Sequence, residues 1–242
     1  MRYKNLILIG TSHIARQSID EVRNEIRSTD PDIVAVELDA NRYQSLKSRK
    51  KAKTSLKDIF RIGILGFFFA LLGKWAQNKM GKLVGVMPGT EMLTAIRAAR
   101  KSGADIKLID QNILITLRRL SHSVTWKERF RFVYDLVRSV IFRKSEMKRL
   151  GIENLDLTKV PPRKLVRKLT MEMKKNYPNV YNVLVAERNE VMASRLARLM
   201  QENREKKILA VVGAGHEEEL LDMIKKNLKN EGISYSFTVN SA

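Results

Sequence analysis

Two of the three histidines in the chain stand in the same short phrase. Gly10-Thr11-Ser12-His13 follows the apolar run Leu6-Ile7-Leu8-Ile9, and Gly213-Ala214-Gly215-His216 follows Ile208-Leu209-Ala210-Val211-Val212. Both read Gly-x-x-His. A neutral imidazole binds metals, and an imidazole titrating near neutrality moves protons. The glycine permits a close backbone approach or a positive φ, leaving the next amides free at a helix start, where an anion is favoured. Two carboxylates take matching positions, Glu37 after Ile33-Val34-Ala35-Val36 and Asp110 after Ile106-Lys107-Leu108-Ile109. Two imidazoles and two carboxylates suit a divalent ion such as manganese, zinc, iron or cobalt, and equally an acid and base pair without metal.

Other polar residues stand where they need a reason. Arg188 lies four positions after Leu184 and three and four before Val191 and Met192, on an apolar helix face. A buried guanidinium requires a carboxylate or an anionic ligand. Glu37 or a substrate oxyanion would supply one. Glu37 has its own ordinary reading as the partner of Arg42, Arg118 or Arg188, and Asp110 as a helix cap. Glu187 is open to three roles, metal ligand, general base or partner of a neighbouring arginine. Glu91 in a first helical turn favours the helix dipole. His122, in Ser121-His122-Ser123, reads as a loop residue.

The elements that must position these groups follow from periodicity. Leu6–Ile9 is a strand; Ile14–Ile26 is helical, with Thr11 or Ser12 as its cap; Ile33–Val36 is a second strand, followed by a helix carrying Arg42. A cap at Thr90 opens a helix through Arg100, Ile106–Ile109 is a third strand, and a helical block runs from Ile113 to about Leu150. Leu157–Pro162 reads as a loop, Arg163–Lys175 and Val180–Met200 as helices. The alternation resumes with strand Lys207–Val212, helix Glu217 to about Leu228, and a last strand Ser234–Val239. The expected fold is α/β, a mainly parallel sheet of βαβ units with a large helical insertion. One domain, 1–242, is expected, its α/β core at about 1–58, 84–112 and 205–242 and its helical insertions at about 59–83 and 113–203. Ligands then bind at the carboxyl ends of the strands.

The run Ile62-Gly63-Ile64-Leu65-Gly66-Phe67-Phe68-Phe69-Ala70-Leu71-Leu72 is well short of the roughly 20 apolar residues of a spanning helix. It reads as a helix buried in the core or at the subunit interface of a homo-oligomer. Its aromatic content and basic flanks also suit a membrane-surface or lid helix. With 46 basic against 26 acidic residues the net charge is +20, which favours nucleic acid, anionic membrane or small acidic substrates as partners. No zinc finger, RNP-type or heptad-plus-basic motif accompanies the charge, so nucleic acid is the weakest of these. Cysteine is absent, which rules out disulfides and thiolate chemistry and fits a reducing cytoplasm.

Six phrases in order, Gly10–His13, Val36-Glu37-Leu38-Asp39 with Arg42, Gly85–Met92, Ile109-Asp110 with Thr116–Arg119, Glu187-Arg188-Asn189 and Gly213–His216, resemble the TraB/PrgY (pheromone-shutdown) family. That family is in turn similar to Tiki metalloproteases, GumN, erythromycin-esterase-like enzymes and ChaN haem-binding proteins. The resemblance implies a metal-dependent, peptidase-like hydrolase that acts on or inactivates a peptide. A module that binds a peptide or cofactor without turnover is the alternative. In the hydrolase reading His13, His216 and Asp110 hold the ion, Glu37 or Glu187 is the base, Arg188 steadies the oxyanion, and Arg42, Glu91 and Arg118 contact substrate. Asp110-Gln111-Asn112 departs from the Asp-Arg-Asp run expected there. Longer archaeal relatives carry a hydrophobic membrane region, which implies a place at the cytoplasmic face of an anionic membrane.

Overall fold

The computed structural model describes residues 1–11, 16–48, 58–84, 89–142 and 162–230, with 145 and 148 between them. Five strands, β1 (Arg2–Tyr3), β2 (Leu6–Thr11), β3 (Ile33–Val36), β4 (Asp105–Leu108) and β5 (Ile208–Gly213), form one sheet in the order β1-β2-β5-β3-β4. All neighbours are parallel except the short β1–β2 hairpin, which the periodicity does not announce. The expected last strand lies outside the described residues, as do the loop at 157–161 and the turn at 85–88.

Helices cover both faces because strand side chains alternate. On one face, Ile9, Val34, Val36, Leu209 and Val211 pack with Val22 and Ile26 of α1 (Arg16–Thr29) and Met92, Ala95, Ile96 and Ala99 of α4 (Thr90–Ser102). On the other, Leu6, Leu8, Ile33, Ala35, Ile208, Ala210 and Val212 pack with two late helices. The first of these is α9 (Glu187–Glu202), giving Met192, Ala193 and Leu196, and the second is α10 (Glu217–Asn230), giving Leu220 and Ile224.

The path from β2 through α1 to β3 crosses β5, and the path from β4 back to β5 crosses β3 on the opposite face. Chain direction therefore reverses around β5, and the carboxyl ends of the strands there are where open α/β sheets bind ligands. The long return carries α5 (Ile113–Ser123), α6 (Trp126–Ile141), α7 (Arg163–Asn176) and α8 (Pro178–Tyr181). A π-helical turn, Asn182–Ala186, then leads into α9.

Several local expectations are corrected. Thr11 does not cap α1: it belongs to β2, and its hydroxyl donates to Val212 O at 3.1 Å. Thr90 gives way to Gly89 as the cap of α4, with φ 85°. His122 lies in the last turn of α5, not in a loop. The helical block from Ile113 breaks at Val124-Thr125, where Thr125 and Glu128 form a capping box that starts α6. Asn112 fills the missing acid's place by accepting from Leu114 N at 3.0 Å as the N-cap of α5.

The apolar run lies in α3 (Asp58–Val84), and the structure departs from the buried-core reading. Ile62 is buried, but Ile64, Phe68 and Leu71 are exposed. One side packs on α5 through Leu65, Phe69, Leu117 and Leu120. Gly63, at φ 76°, breaks the helical path. Ser121 Oγ donates to Ile62 O at 2.5 Å and accepts from Gly66 N at 2.5 Å. A Cβ on Gly66 would run into the Leu117 carbonyl. Among the described residues no helix is long and apolar enough to cross a membrane.

Candidate functional site

Glu37 follows β3 immediately, and its backbone continues the ladder by donating to Val211 O at 3.0 Å. This puts its side chain over the end of β5, where Oε2 accepts from Gly213 N at 2.5 Å. The second Gly-x-x-His thus contributes a backbone donor as well as an imidazole. Oε1 accepts from Arg188 Nη2 and lies 3.5 Å from His216 Nε2. Glu37 is only 1% exposed.

Arg188 is the hub. Nε donates to Asp110 Oδ1 at 2.9 Å and Nη2 to Asp110 Oδ2 at 2.8 Å, a bidentate pairing. Nη1 donates to Leu184 O at 3.1 Å and stands 3.3 Å from His216 Nε2. Burial alone would drive this guanidinium toward its neutral form, but the carboxylates of Glu37 and Asp110 outweigh it and hold the charge above the ordinary arginine range. Arg42 Nη1 adds a second guanidinium on Asp110 Oδ2 at 3.1 Å, and Arg195 donates to the Asp110 carbonyl at 2.6 Å. Of the three partners weighed for Glu37, the fold selects Arg188, and Arg42 goes to Asp110.

His216 is oriented from behind. Its Nδ1 lies 2.7 Å from Asn189 Oδ1, and Asn189 Nδ2 donates to Glu219 Oε2 at 3.3 Å. A carboxylate can only accept, so the amide oxygen faces the ring and the network assigns the proton to Nδ1. The Nε2 lone pair is left toward Arg188 and Glu37. Tyr181 donates to Glu219 in turn, and burial together with that carboxylate raises its phenol above the ordinary range. Sequence reasoning missed Asn189, Glu219 and Tyr181. Asn189 carried a readable signal, a polar side chain three and four positions before the buried Met192 and Ala193.

The remaining candidates scatter. Glu187 pairs bidentately with Arg119, at 3.1 and 2.6 Å, outside the Glu37 cluster. Arg118 is exposed on α5, beside Phe60, Arg61 and His122. Glu91 is buried in the first turn of α4. His13 lies outside the described residues, though its strand is placed: Thr11 of β2 pairs with Gly213 of β5, so the two Gly-x-x-His corners sit on neighbouring strands. Of the motif glycines, Gly10 is closely approached: a Cβ there would stand 2.7 Å from Glu217 Oε2, which would have to shift, and 3.2 Å from Ala214 Cα.

As arranged, the described donors do not fit an ion. Asp110 directs both oxygens at guanidinium groups, and Arg188 contacts the Glu37 and His216 atoms that a cation would use. A second positive charge there would meet repulsion. Among the described residues no three His, Asp or Glu side chains are grouped to hold a metal.

Beside this cluster a cleft of about 670 Å³ opens along β2, lined by Ile9, Gly10, Gly215, Arg163, Glu217 and Glu218 among others. Leu8 exchanges both backbone hydrogen bonds with Met1, while Thr11 O accepts from Ala214 on the β5 side. By strand alternation Gly10 therefore turns its N–H and C=O away from β5, toward the cleft.

A three-layer α/β domain with a buried arginine–carboxylate–histidine cluster at its strand ends is the class that fold and site define. Residues 3–227 match the TraB/PrgY/gumN family, and the chain belongs to that family. It is 38% identical to an uncharacterized protein of Methanocaldococcus jannaschii over 92% of this chain and 54% of that one. It is 23% identical to the human TraB domain-containing protein over 86% of this chain and 60% of that one. The chain thus spans a little over half the length of these relatives.

Proposed function

We propose that the protein is a hydrolase acting on a peptide, with water activated at the cluster of Glu37, His216 and Arg188. The observation that carries this reading is the convergence of these three residues, distant in sequence, at the carboxyl ends of β3 and β5. Glu37 and the Nε2 lone pair of His216 lie on one side of a single guanidinium. A water placed against them would lose its proton to one of the two as its oxygen bonds the peptide carbonyl, and the charge of Arg188 would stabilise the oxyanion so formed. The same proton would pass to the leaving amine as the C–N bond breaks. Proton transfer falls to these side chains themselves. An extended peptide suits the neighbouring cleft, because Gly10 offers it a backbone donor and acceptor at the open edge of β2.

The completeness of the network favours a second reading, binding without turnover. Both Glu37 oxygens are already engaged within the protein, and a site satisfied in this way can hold a ligand without reacting with it. Mass spectrometry of a synthetic peptide pool incubated with the protein separates the two. Cleavage lowered by about 10²–10⁴ in Glu37→Gln and His216→Asn supports hydrolysis. Stoichiometric retention of intact peptide supports binding, and cleavage that survives both substitutions sinks the catalytic assignment. Metal analysis of protein purified without chelator belongs in the same experiment. One bound equivalent, lost in His13→Ala and His216→Ala, would require Arg188 to move aside.

A further inference from the structure

Among the described residues an exposed apolar row lies away from the site, on α6. Trp126, Phe130, Val133, Tyr134, Val137 and Ile141 fall at offsets of four, seven, eight, eleven and fifteen from the first, a single helical face. Every one is exposed, Trp126 and Phe130 to 70% and 71%. The opposite side holds the helix in place: Phe132 packs edge-on against Phe68, Phe69 and Tyr177. Isolated surface apolar residues need no explanation, but an unbroken row of six does.

Charge decides what fits this row. Lys127 and Arg138 line one flank by helical position, with Arg131 between them 3.9 Å from Asp135, and the guanidinium of Arg129 lies 4.6 Å from the centre of the Trp126 ring on the other. The two acids of α6 are drawn to the packed side, Glu128 accepting from Asn179 N at 2.8 Å and Asp135 from the Tyr177 hydroxyl at 2.6 Å. A symmetric contact between two copies would set these cations against each other, a repulsive arrangement that the net charge of +20 aggravates. An anionic lipid surface takes the aromatic row into its interface and gains from each cation beside it.

We propose that α6 is an interfacial helix that docks the protein on an anionic lipid surface without crossing it. The proposal is independent of the hydrolytic reading. The protein has two tryptophans, so Trp75→Phe leaves Trp126 as the sole reporter. Vesicles of phosphatidylcholine with and without phosphatidylserine are the probe, read by co-sedimentation and tryptophan emission. Binding to the serine-containing vesicles is expected, weakened by salt, with a blue shift of Trp126. Trp126→Ser with Phe130→Ser should cut binding about a hundredfold. Lys127→Glu with Arg138→Glu should remove the preference for anionic vesicles. All these residues are exposed, and far-UV circular dichroism verifies that the variants fold. Three results overturn the proposal: unchanged Trp126 emission with no co-sedimentation, binding that survives the aromatic variant, or a blue-shifted Trp126 in a lipid-free dimer.

Discussion

Arg188 joins Glu37, Asp110 and His216, and its removal strands two carboxylates that are each only 2% exposed at the side chain. Breaking a buried ion pair costs more than forming it gains, because the remaining charge keeps its desolvation penalty. Arg188→Ala is expected to destabilise the fold by about 3–5 kcal/mol, measured by urea denaturation. Exposed Arg119, paired with the half-buried Glu187, provides the contrast: solvent screens that pair, and Arg119→Ala should leave the urea midpoint nearly unchanged. The sequence made Arg188 legible because an arginine on an apolar helix face demands a partner. Glu37 was legible as a candidate partner, with three arginines open to it; the bidentate share that Asp110 takes was not, and the pairing of β3 beside β5 is what brings Glu37 to Arg188.

At the scale of elements, two joints hold the helical layer. Where α3 crosses α5, Gly66 brings the backbones together, and Ser121 bonds both sides of the kink at Gly63. Gly66→Ala forces the Leu117 carbonyl aside, and a loss of about 1–3 kcal/mol is expected from thermal unfolding. The second joint is Glu128, which closes the capping box of α6 and ties it to Asn179. Burial works against its charge, but the donors from Asn179 and Thr125 win and lower its pKa below the ordinary carboxylate range. A depressed folded pKa gives stability that is present above the unfolded pKa of about 4 and lost as pH falls through the folded value. Urea midpoints should therefore fall on acidification through that window, and Glu128→Gln should flatten the fall. Neither joint was legible as a joint. The apolar run read as one helix, and the purpose of its glycines depends on a partner helix some 50 residues away.

For the whole molecule, the helical layer and the α/β core are continuous through the helix that carries Arg188. The described residues are accordingly expected to unfold cooperatively as one unit. Both tryptophans lie in the helical layer, on α3 and α6, whereas far-UV circular dichroism reports on all helices. Coincident urea transitions by the two probes are expected; a fluorescence transition well before the other would make the layer a separate unit.

What the sequence by itself determined was local and periodic. Apolar runs ending in glycine specify strands and the corners after them, 3.6-residue periodicity specifies the helices, and the strand-end positions of Glu37, Asp110 and His216 follow from these alone. Tertiary structure decided the partners. Strand order puts β5 between β2 and β3, which brings the Gly213 amide and His216 to Glu37, sends Asp110 to Arg188 and Arg42, and leaves Glu187 and Arg118 outside the cluster. The physical reason is that an ion pair or hydrogen bond depends on a distance of a few ångströms across the fold, whereas hydrophobic periodicity records only which side of each element is turned inward.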